Sequence, residues 1–285
     1  MNLTEIGYAA GWRVVRALPR PVAAALFAAG ADLAVRRNTR GVARLRENLR
    51  RVSDDADALV PQAMRSYMRY FMEAFRLPSM SRARILREFR LYGDDMLRGD
   101  VVSGRGAIVA LPHGGNWDIA GAWVAAQGWP IVAIAERLRP EGLYRRFLEF
   151  REGLGMEIIP LTGTGKPPLD LLVERLAKGY VVALLADRDL PARGVEVEFF
   201  GAKTTMPPGP ALLAIRSGAP LYAADMWYEP EGARSRLNGP LPVPPLDAGP
   251  LTERIRLMTQ DMADIFADGI RRHPEDWHML QRMWR

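Results

Sequence analysis

The sequence predicts an α/β fold: a mostly parallel central sheet flanked by helices on both faces, with an N-terminal helical segment. The chain has 285 residues, of which 48% are hydrophobic, so it can bury a full core. Beyond residue 105, apolar runs typical of buried strands alternate with helical segments. Before residue 98, apolar residues recur with helical spacing only. We therefore expect a helical segment over 1–98 and an α/β core over 99–285, joined in one continuous globular unit.

The N-terminal segment should contain five helices, because prolines, Asn38 and Ser53 interrupt its helical pattern. Its first 35 residues carry large apolar side chains, and arginines are dense between Arg36 and Arg51. Such helices either pack on the core with a solvated arginine face or lie in the headgroup layer of an anionic membrane surface. The predicted helices cover 8–18, 22–35, 41–52, 60–75 and 81–89.

The second part shows the alternation of strands and helices that builds a parallel sheet. An alternating Val-Glu pattern predicts an edge or hairpin strand at 195–200, and prolines between Pro240 and Pro250 predict an extended connection into the last helix. The predicted buried strands are 106–111, 130–135, 156–161, 180–186 and 220–228, and the predicted helices are 117–127, 141–153, 167–178, 209–217 and 251–272.

Composition limits the chemistry and the partners. The absence of cysteine excludes disulfides, zinc–thiolate sites, iron–sulfur clusters and cysteine nucleophiles. A net charge of +6 favours anionic partners such as phospholipid head groups or a phosphorylated substrate. Nucleic acid is not expected, because the sequence has no zinc finger, RNA-recognition signature or basic tail. No apolar stretch is long enough to span a membrane and no signal peptide is evident, so we expect the protein to stay inside the cell.

The segment 113–118, His-Gly-Gly-Asn-Trp-Asp, is the most informative motif, because it directly follows a predicted strand. Open α/β sheets bind ligands at the carboxyl ends of their strands. Gly114 and Gly115 supply a turn after which Asp118, in the first helical turn, could accept a hydrogen bond from His113. The other imidazole nitrogen could then take a proton from a substrate hydroxyl. Alternatively, Asp118 caps its helix and His113 is a polar loop residue.

Charged residues follow two more predicted strands at the same edge of the sheet as His113. Glu136 and Arg137 follow the second strand, and Asp187 and Arg188 follow the fourth. A second carboxylate near His113 could stabilise its imidazolium, and arginines could hold a phosphate or an oxyanion. Alternatively, these residues form salt bridges that hold the strand ends together.

Lys166 lies in a glycine-containing segment after the third strand. The segment fails the pattern of a nucleotide-binding P-loop because Pro167 stands where the hydroxyl residue should be. A looser contact of Lys166 with a phosphate at the next helix start stays open. The chain also lacks a G-x-S-x-G elbow, so acyl transfer would proceed by direct attack of a substrate hydroxyl activated by His113.

No metal site is predicted. The C-terminal residues that could bind a metal do not follow a usual zinc motif, and a packed, tryptophan-containing segment is the more economical interpretation. These residues are His273, Glu275, Asp276 and His278.

His113-x4-Asp118 after a strand, with Pro112 before it, resembles the lysophospholipid acyltransferase superfamily and specifically its lipid A acyltransferase branch. The resemblance covers essentially the whole chain. The residues at 187–190 and 194–197 most resemble the corresponding residues of family members that acylate phosphatidylinositol mannosides. Further matching segments are 135–138, 150–151, 185–189, 199–201, 208–211 and 274–277.

The resemblance implies transfer of a fatty, palmitoyl-like acyl group from acyl-CoA to a mannose hydroxyl of a membrane glycolipid, by a peripheral protein at the cytoplasmic face of the cell membrane. It implies His113 as general base, Asp118 as the residue that orients it, and Asp187 as a second carboxylate that supports its charge. Arg151 and Arg188 become candidates for binding the phosphates of CoA or of the glycolipid. Acyl-CoA is a co-substrate, and no cofactor is implied.

Other functions stay open. The acceptor could be another glycolipid or a lysophospholipid, or water could replace it in a hydrolase. A non-catalytic lipid-binding protein that sits on membranes through its basic helices is the rival from another class. Such a protein should tolerate replacement of His113 by alanine.

Overall fold

The computed structural model describes residues 11–136, 141–163, 165–189 and 194–284. Residues 11–17 are helical. The further helices of these ranges are α1 (Arg20–Arg36), α2 (Arg40–Val52), α3 (Ala56–Arg76), α4 (Arg82–Glu88), α5 (Asp95–Val102), α6 (Trp117–Ala126), α7 (Glu141–Glu152), α8 (Pro168–Leu176), α9 (Gly209–Ser217) and α10 (Leu251–Arg272). The strands are β1 (Phe89–Tyr92), β2 (Ala107–Leu111), β3 (Ile131–Ala135), β4 (Met156–Pro160), β5 (Val181–Leu185), β6 (Val195–Phe199), β7 (Ala202–Met206), β8 (Leu221–Glu229) and β9 (Gly232–Asn238).

Seven strands form the central sheet in the order β1-β9-β8-β2-β5-β3-β4. Neighbouring strands run parallel except β8 and β9, which are antiparallel. The hairpin of β6 and β7 packs against α10. The predicted fold class, a mostly parallel sheet with an N-terminal helical segment, is confirmed.

Helices cover both faces of the sheet because successive strand residues point to opposite sides. On β2, Ile108 belongs to a core with α8, α9 and α10, whereas Val109 belongs to a core with α3, α6 and α7. Both residues are buried. The sheet therefore separates two apolar cores.

The N-terminal helices have a small core of their own. Arginines of α2 alternate with Val42, Leu45 and Leu49, whose buried side chains pack with Val60 of α3. Because α3 continues from this core to the sheet, it joins the helical segment to the α/β part. No helix of the described residues is both long enough and apolar enough to cross a membrane.

Three strands were not expected from the sequence: β1, β7 and β9. β1 lies within the predicted helical segment 1–98 but pairs with β9 in the central sheet, and the predicted boundary after residue 98 falls inside α5. These strands have no apolar run: β9, for example, carries Arg234, Ser235 and Arg236. Their pairing depends on tertiary context that periodicity does not report.

Candidate active site

The register between β2 and β5 brings His113 and Asp187 together. Leu111 pairs with Leu185 at the carboxyl ends of the two strands, and each functional residue lies two positions beyond its leucine. The main-chain N–H of His113 donates to Oδ2 of Asp187 at 2.9 Å, and Nδ1 of His113 lies 2.5 Å from Oδ1. One carboxylate therefore holds both the backbone and the ring of His113.

Asp187 is fully buried, and its charge is stabilised by its hydrogen bonds. Burial by itself would raise the pKa of Asp187, but His113 and the indole N–H of Trp277, at 3.0 Å, hold that pKa below its ordinary value. An ionised carboxylate at Nδ1 keeps a proton on that nitrogen and leaves the lone pair of a neutral imidazole on Nε2. The His113 side chain is 19% exposed, so Nε2 can serve as a base toward a ligand.

Asp118 does not make the predicted hydrogen bond to His113. Its carboxylate accepts hydrogen bonds from the hydroxyl of Tyr70 at 2.8 Å and from Nε of Arg151 at 2.7 Å. Because α6 begins at Trp117, the next residue lies about 100° further round the helix, and the Trp117 ring is the one beside His113, at 5.8 Å between centres. The orienting contact expected of Asp118 belongs to Asp187.

Arg151 is the counter-ion of Asp118. Burial lowers the pKa of Arg151, but the Asp118 carboxylate and the Tyr70 hydroxyl outweigh it, so the pKa lies above its ordinary value. The guanidinium therefore stays charged and neutralises a carboxylate that is 2% exposed. Some of its N–H donors, which were expected to bind substrate phosphates, instead donate to the Asp118 carboxylate.

Two cavities meet near His113. The first, here called the His113 cavity, has a volume of about 290 Å³. Its lining includes His113, Arg188, Tyr67, Trp117, Arg151 and His278. The second, here called the sheet cavity, lies between α6 and the sheet and is lined by apolar residues from all seven strands. Trp117 and Arg151 line both cavities, so the two adjoin beside the catalytic histidine candidate.

The other predicted substrate-binding residues lie at different positions relative to the His113 cavity. Arg188 lines the His113 cavity and contacts Glu136 at 3.5 Å, as the salt-bridge alternative expected. Nε of Arg188 is buried without a hydrogen-bond partner among the described residues. Lys166 follows the edge strand β4, lies 2.7 Å from Glu174 and does not line the His113 cavity. Arg137 lies outside the described residues.

Comparison with known proteins settles the family. The model of the family "Bacterial lipid A biosynthesis acyltransferase" matches residues 3–285. The chain belongs to this family. It is 46% identical over 288 residues to a phosphatidylinositol mannoside acyltransferase of Mycolicibacterium smegmatis, covering 99% of this chain and 92% of that protein. It is 43% identical to the protein of the same name from Mycobacterium tuberculosis H37Rv, covering 99% of this chain and 88% of that protein. The resemblance inferred from the motifs is confirmed.

In this lipid A acyltransferase family member, the C-terminal segment makes main-chain contacts with the loop of His113. Sequence reasoning missed these contacts. Gly114 forms a β-bridge with Trp277, and the main-chain N–H of His278 donates to the carbonyl of His113 at 2.7 Å. The packed segment that the sequence predicted thus also holds the loop of His113. No sequence spacing can indicate a contact between residues more than 160 positions apart. The only available signal was Trp277 itself, because the N–H of a buried indole usually has a hydrogen-bond acceptor.

A polar network lies behind this segment. Ser66 of α3 donates to the carboxylate of Asp276 and is 2.9 Å from Nε2 of His278. Burial raises the pKa of Asp276 to about 6, whereas burial and the nearby His113 lower the pKa of His278 to about 3. His278 is therefore neutral at physiological pH, and the network links α3 to the loop that carries His113.

The C-terminal residues considered as metal ligands do approach one another. Ligand atoms of His273, Glu275 and Asp276 lie within 4.8 Å. However, His273 stacks on Trp227 with 4.9 Å between ring centres, and the Asp276 carboxylate already accepts from Ser66 and from the Tyr228 amide. These contacts support a packing role for the cluster.

Proposed function

We propose that the protein transfers a fatty acyl group from acyl-CoA to a mannose hydroxyl of a phosphatidylinositol mannoside, with His113 as general base. The observation that carries the proposal is the buried Asp187 bonded to Nδ1 of His113, with Nε2 left for the substrate where two cavities adjoin. The acceptor is inferred from the name of relatives at 43–46% identity.

The chemistry follows from that arrangement. Nε2 of His113 takes the proton of the acceptor hydroxyl as its oxygen attacks the thioester carbonyl. The tetrahedral intermediate then collapses, the C–S bond breaks, and the imidazolium returns the proton to the leaving CoA thiolate. Asp187 stabilises the imidazolium between the two steps. Arg188, which lines the His113 cavity, can donate to the oxyanion.

The sheet cavity, which has a volume of about 100 Å³, suits a segment of the donor's acyl chain. Its walls are apolar side chains such as Val109, Ala133 and Ala183, and burial of apolar chain there is favourable. Trp117 and Arg151 line both cavities, so a chain in the sheet cavity would place its thioester near His113. A hydroxyl entering through the His113 cavity would approach from the other side.

The exposed face of α1 suits a membrane surface. Val22, Leu26 and Leu33 lie on one side of the helix, and between 46% and 58% of each residue is exposed. Exposed arginines follow at Arg36 and Arg37. Apolar residues flanked by arginines suit the headgroup layer of an anionic membrane. We infer peripheral attachment at the cytoplasmic face of the cell membrane.

The test is release of free CoA from palmitoyl-CoA by the full chain, with and without a phosphatidylinositol mannoside, beside His113→Ala. His273→Ala is the matched control, because it removes another histidine outside the His113 cavity. We expect acceptor-stimulated release that His113→Ala abolishes, with an acylated glycolipid seen by mass spectrometry. Release without stimulation would reject the acceptor, and no release with any acyl donor would favour a lipid-binding protein.

A further inference from the structure

The sheet cavity is narrow. Its volume of about 100 Å³ lies below the roughly 300–1,000 Å³ of sites that enclose drug-sized ligands. An acyl chain can therefore enter it only as far as the side chains at its inner end allow. The residues at that end decide how much of the chain is taken up.

Met156 lies at the inner end of the sheet cavity, away from His113. It is the first residue of β4 and pairs with Ile131, the first residue of β3, whereas His113 follows the carboxyl end of β2. Because β4 is the third strand from β2, Met156 is about 14 Å across the sheet and about 13 Å along the strands from Leu111, or roughly 20 Å in all. One leaflet of a bilayer core is roughly 15 Å thick, so a palmitoyl-like chain has a comparable length. A chain that starts beside His113 therefore ends near Met156.

A surface groove, here called the outer groove, lies behind Met156. It has a volume of about 470 Å³ and shares no lining residue with the sheet cavity. Three residues that line it are, however, sequence neighbours of residues that line the cavity. These pairs are Ala125 with Val124, Pro130 with Ile131, and Gly155 with Met156. A single layer of side chains, which includes Met156, thus separates the cavity from the groove.

Met156 is the member of this layer that can move most easily. Val124 and Ile131 are branched at Cβ, which restricts the rotation of their side chains. Methionine is unbranched and has three rotatable bonds. Its thioether lies directly on Gly121 of α6, where a Cβ would overlap the sulfur. Met156 therefore closes the cavity by filling space that a glycine leaves free.

We propose that Met156 sets the length limit of the acyl donor. Its side chain stops a palmitoyl-like chain at the inner end of the sheet cavity, and it must be displaced before a longer chain extends into the outer groove. Met80, Trp129 and Leu154 line that groove, so the emerging end of the chain would contact apolar surface. The proposal rests on the acyl-chain role proposed for the sheet cavity, and it does not depend on the acceptor.

The test compares CoA release from palmitoyl-CoA with release from the longer arachidoyl-CoA, using the full chain. Met156→Ala should raise the ratio of kcat/KM for arachidoyl-CoA over palmitoyl-CoA by about tenfold, because it opens the layer to the groove. Met156→Ile has a similar volume but is branched at Cβ, so it should lower that ratio. Met258→Ala is the matched control, because it removes a buried methionine from the core on the opposite face of the sheet. It should leave the ratio unchanged.

Equal ratios in Met156→Ala and Met258→Ala would overturn the proposal. Leu91→Ala enlarges the sheet cavity at β1, the opposite edge of the sheet. A shift toward arachidoyl-CoA in this variant alone would mean that the chain runs toward β1, which would also overturn it.

A binding measurement separates this proposal from the proposed reaction. Palmitic and arachidic acids compete with a fluorescent fatty acid for the protein, and their relative affinities report the length limit without turnover. A relative gain for arachidic acid in Met156→Ala, with no CoA release by any variant, would support the role of Met156 and reject the reaction. No relative gain, with CoA release intact, would reject the role of Met156 alone.

Discussion

Asp187 binds His113 at two points, through the main-chain N–H at 2.9 Å and through Nδ1 of the ring at 2.5 Å. A single contact would fix only the tautomer of the imidazole, whereas two contacts also fix the loop that carries it. The indole N–H of Trp277 donates to Oδ2 of the same carboxylate, the oxygen that also accepts from the His113 amide. His113 is thus positioned by a buried carboxylate that lies 74 residues away in the sequence.

Replacement of Asp187 by asparagine should lower kcat by roughly 10²–10⁴ with little change in KM for acyl-CoA, because the amide cannot stabilise the imidazolium. Steady-state CoA release measures both constants. Asp189→Asn is the matched control, since it removes the same charge two residues further on, where Oδ2 accepts from the Gly194 amide. Equal losses in the two variants would contradict a specific role for Asp187.

Replacement of Arg151 by alanine should destabilise the fold by about 3–5 kcal/mol, because it leaves the buried Asp118 carboxylate without its counter-ion. Urea unfolding followed by tryptophan fluorescence measures the change. Arg65→Ala, which breaks an exposed ion pair with Asp32, should alter the unfolding midpoint little. An equally small effect of Arg151→Ala would show that Asp118 does not need its partner.

Replacement of Ala183 by leucine should shift the preference toward shorter acyl donors, because its side chain lines the sheet cavity. CoA release from palmitoyl-, lauroyl- and octanoyl-CoA gives the ratio of kcat/KM values. Leu184→Met, on the other face of β5, changes packing without narrowing that cavity. Unchanged ratios in Ala183→Leu would place the acyl chain elsewhere.

Asp276 and His278 should affect the pH dependence of stability in opposite directions. The pKa of Asp276 rises to about 6 on folding, so its contribution is present below pH 4 and is lost as pH rises through 6. The pKa of His278 falls to about 3, so its contribution is present above pH 6.5 and is lost as pH falls toward 3.

Urea midpoints at pH 4, 5, 6 and 7 test this pair. Relative to the unchanged protein, His278→Gln should lose less stability on acidification, and Asp276→Asn should lose more. The same pH profile in both variants would mean that these two groups do not titrate as their burial requires.

Glutamates at Leu26 and Leu33 together should abolish binding to anionic vesicles, because they place charge on the exposed apolar face of α1. Val243→Glu with Leu246→Glu is the control, since these exposed apolar residues lie in the proline-rich connection. Vesicle sedimentation measures binding. Equal losses in both double variants would show that net charge alone governs attachment.

Much of the fold could be predicted because five of the seven strands in the central sheet, β2, β3, β4, β5 and β8, are apolar runs bounded by turns. The strand predicted at 180–186, for example, is β5 (Val181–Leu185). By contrast, β9 pairs with β1 on one side and β8 on the other although it carries two arginines, so its strand conformation depends on these neighbours. Periodicity detects burial along one element and cannot detect pairing that compensates for polar side chains.

The sequence could predict the part of the candidate site that follows directly from the strand ends. His113 and Asp187 meet because parallel strands bring their carboxyl ends to one edge. The partner of Asp118 could not be predicted, because the helix start at Trp117 decides which side chain faces His113. Asp187, predicted as a second carboxylate, makes the contact expected of Asp118. Trp277 depends on a distant segment that no local pattern reveals.

The β-bridge between Gly114 and Trp277 has a consequence for biosynthesis. The chain is made from its N-terminus, so the loop of His113 emerges from the ribosome well before the segment around Trp277 that pairs with it. His113 therefore gains its final environment only after the segment around Trp277 has left the ribosome. A nascent chain that ends before Trp277 would contain the histidine and its aspartate without the indole N–H that donates to that aspartate.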